Sequence, residues 1–420
     1  MTRRLEVLSA GDPFEVSIAV RAALSGTGPA VLPREPAAAP LARHASTSAV
    51  RSAGAGPDGL KGPGATGGPS EPDVPAEVPK NVALVIETSG SSGVPKRVAL
   101  SADALLASAG ATESELGGPG QWVLALPTHY IAGTQVLIRS IVAATKPVVL
   151  PPGHFSARSF AACVDQLQGE LRFSSIVPAQ LARLVDAGES DAGIRDSLRA
   201  LDALLIGGQA VPAALFTRAT DLGLNVKRTY GSSETSGGCV YDGHPIGQAV
   251  ARTTAGELEL AGPMLAEGYL GDEELTARKF YTDAGRRWYR TADSGAVTSG
   301  PAGIQVAISG RLDNVIISGG IKVALDRVER VVQSHEGFHT AIVVPQPSER
   351  WGQTSVVVTS EPFDAGALEL LQAAVTDAVG RPAAPSRIVR LATLPTLSSG
   401  KPDRLSVARS LAQSDAAQEL

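Results

Sequence analysis

"ETSGSSGVPKRVAL", at residues 87–100, follows directly on the apolar run "NVALVI". The apolar run predicts a buried strand. The residues after it are mostly small hydroxyl residues and glycines, and they lead to Lys96. A strand that runs into a loop rich in hydrogen-bond donors is a common phosphate-binding arrangement. We therefore predict a phosphate loop over residues 88–96, with a hydrophilic surface loop as the alternative interpretation.

The spacing around the lysine excludes one familiar phosphate loop. The G-x-x-x-x-G-K-[ST] pattern places a glycine before the lysine and a hydroxyl residue after it. Here Pro95 precedes Lys96 and Arg97 follows it. The residue types still suit a polyphosphate, because amides and hydroxyls donate hydrogen bonds and a lysine supplies a point charge. The predicted nucleotide-binding residues of this loop are Thr88, Ser89, Gly90, Ser91, Ser92 and Gly93, followed by Lys96.

Length, charge and cysteine content narrow the class of protein. A chain of 420 residues exceeds what one hydrophobic core usually serves, which predicts two domains. The net charge of −5 gives no electrostatic case for nucleic acid, and no apolar run reaches the length of a bilayer span. The N-terminus lacks the apolar core of a secretory signal, and Cys163 and Cys239 stand far apart, so we expect a cytoplasmic protein without zinc. The sequence leaves the oligomeric state open.

The pattern from residue 81 onward predicts an α/β fold. Apolar strand-like runs alternate with helical patterns, which favours parallel sheets covered by helices. Ligands in such folds bind in the loops at the carboxyl ends of strands. Residues 35–80, which are rich in Ala, Gly, Pro and Ser, are predicted to form a flexible loop. The loops of unusual composition lie at residues 88–96, 127–133, 207–209 and 230–238.

A change of pattern past Arg311 predicts a second, smaller domain. Short strands and turns precede it, and a compact α+β arrangement of about 110 residues follows, which is a common domain size. We therefore expect a large N-terminal domain over residues 1–310 and a small C-terminal domain over residues 311–420.

Two further motifs suit a nucleotide. In "KRTYGSSETSGG" (227–238), Tyr230 offers a ring for stacking on a base, and Glu234 offers a hard oxygen ligand for Mg²⁺. In "RRWYRTADSG" (286–295), the carboxylate of Asp293 suits the hydroxyls of a ribose. The plainer interpretations are a Gly/Ser turn with one exposed carboxylate and a turn aspartate.

Lysine is uncommon in this chain, with 8 lysines against 29 arginines, so its position is informative. Lys401 lies in "LPTLSSGKPDR" (394–404), on a loop from which it can enter a distant site when domains close. A lysine in a solvated tail is the alternative. Four other lysines are interpreted as surface residues: Lys61, Lys80, Lys146 and Lys279.

These motifs, in this order, resemble the adenylate-forming superfamily of acyl-CoA synthetases, luciferases and peptide-synthetase adenylation domains. The resemblance covers roughly residues 81–404. It implies an N-terminal domain that binds ATP and the acyl substrate, and a mobile C-terminal domain. It also implies ATP, Mg²⁺ and CoA as cofactors and co-substrates, with a small-molecule carboxylic acid as the partner.

The resemblance assigns roles to the nucleotide motifs. Residues 88–96 would handle the β- and γ-phosphates of ATP. The superfamily's Tyr-Gly-x-Thr-Glu motif would place Tyr230 on adenine and Glu234 on Mg²⁺. Serine stands where the fourth position of that motif usually has threonine. The motif is matched by Tyr230, Gly231, Ser232, Ser233 and Glu234.

The resemblance also assigns the residues near and beyond the domain boundary. The superfamily's Thr-Gly-Asp appears as "TAD" at residues 291–293, where alanine is a departure but the ribose-binding Asp293 remains. Arg311 matches a second ribose ligand, and Asp313 matches the hinge. Lys401 matches the lysine that contacts the carboxylate and the α-phosphate. After adenylation the small domain would rotate and present a turn to CoA, formed by Gly319, Gly320 and Lys322.

One branch of the superfamily, the o-succinylbenzoate–CoA ligases of menaquinone biosynthesis, looks most similar in the acyl-pocket stretch "LALPTHYIAGTQVLIRS". The gating position falls on His129 or Tyr130, and the sequence does not choose between them. Arg139 stands where this branch has an arginine that helps to hold a substrate with two carboxylates, although a surface arginine is the plainer interpretation. Further residues expected at the aryl and adenine walls are Ser175, Val177, Gly207, Gly208 and Gln209.

Three alternatives stay open at this point. The chain could be another aryl- or acyl-CoA ligase with the same first step. It could be a module that binds nucleotide or acyl-adenylate without forming a thioester, which Ala292 motivates. It could also be an adenylation domain that loads a separate carrier protein.

Overall fold

A computed structural model of the chain describes residues 1–36, 74–88, 95–301, 303–397 and 401–418. Within these ranges the strands form four sheets, three before residue 312 and one after it. Helices cover the sheets, so the predicted α/β fold class is confirmed. In the same residues, no helix has both the length and the apolar character needed to cross a bilayer.

The first half of the chain alternates strands and helices. The elements in chain order are β1 (Thr2–Ser9), α1 (Pro13–Leu24), β2 (Ala30–Arg34), β3 (Glu77–Pro79), β4 (Val82–Thr88), β5 (Lys96–Ser101), α2 (Ala102–Glu115), β6 (Gln121–Leu124), α3 (Ile131–Val142), β7 (Val148–Val149), α4 (Ala157–Val164), β8 (Arg172–Ile176), α5 (Pro178–Ser190), α6 (Ala192–Arg199), β9 (Ala203–Ile206), α7 (Ala213–Asp221) and β10 (Val226–Ser232).

The second half has shorter strands and fewer helices. A 3₁₀ turn at Ser233–Thr235 leads into it, and another lies at Arg381–Ala383. Its elements are β11 (Gly237–Tyr241), β12 (His244–Pro245), β13 (Val250–Thr254), β14 (Glu257–Ala261), β15 (Gly268–Tyr269), α8 (Glu273–Lys279), β16 (Phe280–Asp283), β17 (Arg286–Gly300), β18 (Gly303–Arg311), β19 (Val315–Ser318), β20 (Ile321–Ala324), α9 (Leu325–Gln333), β21 (Ile342–Ser348), β22 (Gly352–Thr359), α10 (Ala367–Ala378), β23 (Arg387–Arg390) and α11 (Arg404–Gln418).

The seven-stranded sheet has the order β12-β11-β10-β9-β8-β6-β7. The five strands from β10 to β7 are parallel, as the alternation of strands and helices predicts. Neighbouring residues of β6 point to different cores, since Trp122 and Val123 belong to separate buried clusters on the two faces. Both faces are therefore covered, which explains the continuous apolar runs of these strands. Their carboxyl ends lie at one edge and carry three of the loops of unusual composition.

The six-stranded sheet, β15-β5-β4-β2-β1-β3, is mixed and corrects two expectations. Lys96 begins strand β5, which pairs antiparallel with β4, so this end of the predicted loop is a strand residue opposite Thr88. The loop expected over residues 35–80 ends earlier, because β3 pairs with β1 and buries Val78. A single buried valine between prolines is too short a pattern to indicate a strand from sequence.

The remaining two sheets lie on either side of residue 312. The third has the order β13-β14-β17-β16, with β18 paired to β17. The fourth, β20-β19-β22-β21 with β23, has its own buried clusters, whose members all come after residue 315. The predicted division near residue 310 stays a prediction, and it falls at the end of β18.

The pattern "SADALLASAGAT" (101–112) predicts a helix with Ser101 as its N-cap, and helix α2 begins there. Ser101 has extended backbone angles and its Oγ accepts a hydrogen bond from the Ala104 amide at 3.3 Å. This contact satisfies one of the amides that a helix N-terminus leaves without an intrahelical partner. The cap matters for the site because α2 directly follows the strand that carries Lys96.

We predict that Ser101→Ala lowers the free energy of unfolding by about 1 kcal/mol, since it removes the only side-chain cap that this helix start has among the described residues. Ser114→Ala, at an exposed position of the same helix, is the matched control and is expected to leave the stability unchanged. Urea unfolding of the two variants measures the difference. An equal loss in both would show that the cap contributes nothing specific.

Candidate nucleotide and acyl site

A cavity of about 200 Å³ lies between the first three sheets and residues 311–313. Its walls come from the strands β4 and β5, the end of β10, the third sheet and the segment after β18. Most of the described residues that were predicted to bind a nucleotide are therefore brought together. The lining residues are Thr88, Lys96, Tyr230, Gly231, Ser232, Glu234, Leu260, Tyr269, Lys279, Tyr289, Thr291, Asp293, Arg311 and Asp313.

A chain of polar contacts crosses this cavity from β10 to the domain boundary. The Tyr230 hydroxyl donates a hydrogen bond to Asp293 Oδ2 at 2.6 Å. Arg311 pairs with Asp293 through Nη1 at 3.4 Å and with Asp313 through Nε and Nη2 at 2.9 and 2.7 Å. Burial raises the pKa of Asp293, while the Tyr230 hydrogen bond and the Arg311 charge oppose that rise. Asp293 is thus a half-buried carboxylate with one oxygen beside a hydroxyl and the other beside a cation.

The carboxylate of Glu234 is oriented by a residue that the sequence analysis missed. Glu234 lies in the 3₁₀ turn after β10, and its Oε1 accepts a hydrogen bond from the Tyr269 hydroxyl at 2.8 Å. Tyr269 is buried in β15, which pairs with the phosphate-loop strand β5. Burial, and then the charge of Glu234, raise the pKa of Tyr269 well above its usual range. The tyrosine therefore stays a hydrogen-bond donor at neutral pH.

Two glycines of the predicted site are required by close packing. A Cβ atom at Gly231 would lie 2.0 Å from the carbonyl oxygen of Gly237, so any side chain would displace the neighbouring strand. Gly208 has φ +82°, in the region that favours glycine. Both glycines keep the backbone open at the carboxyl edge of the parallel sheet.

An ion-paired triad connects the strands next to the two ends of the phosphate loop. Glu87 pairs with Arg34 at 2.7 Å and with Arg97 at 3.0 Å, and so links β2, β4 and β5. Burial alone would raise the pKa of Glu87, but the hydrogen bonds and charges of the two arginines lower it overall. Thr88 and Lys96 are paired just beyond the triad, at the loop's two ends. The predicted loop residues Ser89, Gly90, Ser91, Ser92 and Gly93 lie outside the described residues.

Lys401, which precedes α11, lies at the carboxyl edge of the parallel sheet. A Cβ atom at Gly208 would lie 3.2 Å from Lys401 Cε and 3.7 Å from Val177 Cγ1, so the lysine passes directly over this glycine. Burial and the charge of Arg311 lower the pKa of Lys401, and Glu234 opposes them. The ammonium group therefore shares one electrostatic environment with residues of the cavity.

The predicted acyl-pocket segment contains a group of unsatisfied polar atoms. Four of its residues have buried side-chain nitrogen or oxygen atoms with no hydrogen-bond partner in the described part of the chain. Buried polar groups are rarely left unpaired, so such a group indicates a ligand or ordered water. These atoms are Thr128 Oγ1, both ring nitrogens of His129, Gln135 Oε1 and Arg139 Nε.

Arg139 does not lie on the surface. It is 7% exposed, and its guanidinium carbon lies 4.9 Å from the centroid of the Trp122 ring. Burial lowers its pKa, the charge and hydrogen bond of Tyr241 oppose that fall, and no carboxylate of the described residues pairs with it. A buried guanidinium without a carboxylate partner is costly unless an anion binds to it. Its interpretation as a surface residue is therefore wrong, while its predicted contact with substrate stays a prediction.

The other predicted wall residues occupy the same edge of the sheet. Ser175 is buried in β8, and Gly207 lies against Thr229, whose Oγ1 a Cβ at position 207 would approach to 2.6 Å. Gln209 is partly exposed in the loop after β9. The rings of His129 and Tyr130 are 4.2 Å apart, so the structure, like the sequence, leaves open which one gates the pocket.

The predicted CoA-side turn lies elsewhere. Gly319 and Gly320 form the exposed turn between β19 and β20, and Lys322 is exposed in β20. None of the three lines the cavity. The structure therefore keeps this turn apart from the nucleotide residues in the domain arrangement that it shows.

One lysine is misjudged from sequence. Lys279 lines the cavity and is half-buried, so its interpretation as a surface residue is wrong. It ends α8, a seven-residue helix whose other charged residues are exposed, and nothing in its local pattern distinguishes it from Arg278. Only the packing of that helix against β15 reveals where its last residue lies.

Comparison with known proteins gives a consistent family. The AMP-binding enzyme family matches residues 20–270. Among curated relatives, the probable 2-succinylbenzoate–CoA ligase of Mycobacterium tuberculosis is 37% identical over 340 residues, which cover 80% of this chain and 86% of that protein.

Solved structures show the same fold. The o-succinylbenzoate CoA synthetase of Bacillus subtilis, in complex with the acyl-adenylate intermediate OSB-AMP, has a TM-score of 0.65 and 23% identity over 79% of this chain and 70% of that chain. The same enzyme in complex with ATP and magnesium ion has a TM-score of 0.64 and 22% identity over 80% of this chain and 72% of that chain.

Ala292 occupies a backbone conformation that disfavours it. Its φ is +62°, in the left-handed region. Both neighbouring residues are held in place, since the Thr291 hydroxyl donates a hydrogen bond to Leu258 O and Asp293 lines the cavity. This conformation explains why the related superfamily motif has glycine at this position.

We predict that Ala292→Gly raises the free energy of unfolding by about 1 kcal/mol, because the left-handed conformation costs alanine more than glycine. Ala296→Gly, at an exposed position of the same strand with ordinary backbone angles, is the control and is expected to lose about 0.5–1 kcal/mol. Urea unfolding measures both. A loss of stability in the first variant would contradict the strain at this site.

Proposed function

Because the chain belongs to the AMP-binding enzyme family, we propose that it is an ATP-dependent, AMP-forming ligase. It adenylates 2-succinylbenzoate and transfers the acyl group to CoA. The names of its relatives support this substrate, and the buried polar residues of the acyl-pocket segment suit an acid with a second carboxylate. Both cysteines are buried thiols, which suits a reaction in the cytoplasm.

The observation that carries the proposal is the position of Lys401. A lysine from the small domain lies over Gly208, within electrostatic reach of Glu234 and Arg311. Adenylation brings a carboxylate to the α-phosphate of ATP, and both are anions. A cation delivered from a second domain offsets their repulsion and stabilises the charge that develops on the transferring phosphoryl group.

The proposed reaction has two half-reactions. A carboxylate oxygen of the acid attacks the α-phosphorus, the bond to the β-phosphate bridging oxygen breaks, and pyrophosphate leaves. The product is an acyl-adenylate, a mixed anhydride. The CoA thiol, after losing its proton, attacks the acyl carbon, and AMP leaves with the electrons of the acyl–oxygen bond. The chain's own part is to position the reactants and to stabilise charge.

Each nucleotide residue has a proposed task in the first half-reaction. Asp293 and Arg311 hold the ribose, and Tyr230 lies against the base. Thr88 and Lys96, with the loop between them, bind the β- and γ-phosphates. Lys401 contacts the acyl carboxylate and the α-phosphate.

Magnesium fits the donor set of this cavity. Glu234 supplies a carboxylate whose Oε1 is oriented by Tyr269, and Thr88 supplies a hydroxyl nearby in the same lining. Mg²⁺ binds through one or two carboxylates together with substrate phosphates, which is what this cavity offers. When bound, the ion neutralises phosphate charge.

We predict that Lys401→Ala lowers ATP–pyrophosphate exchange with 2-succinylbenzoate by about 10²–10³-fold, because it removes one preorganised donor to the developing charge. Lys146→Ala, at an exposed lysine, is the control and is expected to keep the wild-type rate. The same assay without acid should show no exchange.

Two results would change the proposal. Normal exchange without formation of the CoA thioester would leave an adenylating enzyme with another acceptor. Exchange with benzoate or fatty acids but not with 2-succinylbenzoate would support the proposed reaction class and contradict the proposed substrate.

We predict that Arg139→Lys raises the KM for 2-succinylbenzoate by about tenfold or more, because a lysine keeps the charge but loses the two-pronged contact with a carboxylate. An analogue whose non-reacting carboxylate is replaced by an amide should show no such change between the two enzymes. Equal effects on both substrates would assign Arg139 to folding or packing against Trp122. Thermal unfolding of the variant controls for damage to the core.

A further inference from the structure

We propose that Lys279 is a binding residue for the β- and γ-phosphates of ATP and for the departing pyrophosphate. This inference rests on the proposed function. It adds a cation from helix α8, which contains none of the motifs assigned from the sequence. It is carried by the packing that holds Lys279 in place and by the charges that surround it.

The helix that ends in Lys279 is connected to strand β5. Thr276 Oγ1 accepts a hydrogen bond from the Tyr269 amide at 2.8 Å, which ties α8 to β15, and β15 pairs with β5. Strand β5 begins with Lys96. The two lysines are therefore held by directly connected elements, and neither depends on the orientation of the small domain.

The residue after Lys279 anchors the end of helix α8. The ring of Phe280 is buried, 5.0 Å from Tyr289 and 5.9 Å from Tyr269. Both tyrosines line the cavity. Lys279 lines the cavity together with these two tyrosines, so the end of α8 is packed at the cavity wall.

Two other cations of the lining lie close enough to Lys279 to affect its charge. Burial lowers the pKa of Lys279, the charge of Glu257 opposes that fall, Arg311 and Lys96 lower the pKa further, and Asp313 opposes them. It has no ion pair with a carboxylate in the described part of the chain. By contrast, the neighbouring Arg278 is exposed and pairs with Glu274 on its own helix.

Arg311, the third cation of the cavity lining, already binds two carboxylates. Arg311 binds Asp313 with two nitrogens and Asp293 with a third. Lys96 and Lys279 are therefore the lining cations whose charge is less compensated by carboxylates, and they lie near one another. In the proposed function Lys96 binds the outer phosphates, and Lys279 lines the same cavity on a helix that β15 connects to the Lys96 strand.

A direct test compares nucleotides that differ only in the outer phosphates. Mg²⁺ with a non-hydrolysable ATP analogue, and AMP alone, are titrated into the full-length protein by calorimetry, without any acyl substrate. For Lys279→Gln we expect about tenfold weaker binding of the ATP analogue and unchanged binding of AMP. Lys279→Arg should restore most of the affinity, and Arg278→Gln is the matched control that should change neither ligand.

Two outcomes would overturn the inference. An equal loss of affinity for the ATP analogue and AMP would show that Lys279 supports the fold of the cavity. Unchanged affinity for the ATP analogue and for AMP, together with an altered rate of thioester formation, would indicate that Lys279 acts on the predicted hinge residue Asp313.

The outcome is separable from that of the proposed function, since no acid or CoA is present in the titration. If the chain proves to act on another acid, the comparison between the ATP analogue and AMP still stands. If the wild-type protein binds neither nucleotide, the proposed function itself fails.

Discussion

The site depends on one constraint: cations must be held close together, against their mutual repulsion, where anions can bind to them. Arg311 meets this constraint by pairing with Asp293 in β17 and with Asp313 just beyond β18. Its backbone amide also donates to Asp326 of α9 at 2.5 Å. The same residue thus joins the cavity wall, the segment after β18 and helix α9. Its charge also lowers the pKa of Lys401, which connects the electrostatics of the cavity to that lysine.

The parallel sheet provides the fixed side of this arrangement. Its strands end at a common edge, so the segments that follow β6, β8, β9 and β10 converge although they are far apart in sequence. Tight packing keeps that edge bare of side chains, since a Cβ at Gly231 would collide with Gly237 and a Cβ at Gly208 would crowd Lys401. Ala292 shows the opposite situation, because a side chain persists where the backbone has a positive φ. The surrounding hydrogen bonds of Thr291 and Asp293 hold that conformation.

The acyl-pocket segment is distinguished by buried polar atoms that have no hydrogen-bond partner among the described residues. The guanidinium of Arg139 stacks on Trp122 instead of pairing with a carboxylate, and Gln135 uses its amide nitrogen on Ser236 O while its oxygen has no partner among the described residues. Hydrogen-bonding capacity that the protein does not use internally is available for a polar acid. The nucleotide cavity differs, because most of its carboxylates already have partners. Its capacity for an anion resides in the lysines.

Sequence alone determined the α/β class, the strand that leads into the phosphate loop, the Ser101 helix start and the order of the nucleotide motifs. Those features depend on local periodicity and on short motifs, which are written in consecutive residues. It did not indicate β3, β5 or the burial of Arg139, and it placed Lys279 on the surface. Tyr269 was missed as well, since its hydroxyl reaches Glu234 only because β15 pairs with β5. Tertiary structure decided these positions, because burial and charge at a side chain are set by elements distant in the chain, and no local pattern records which elements those will be.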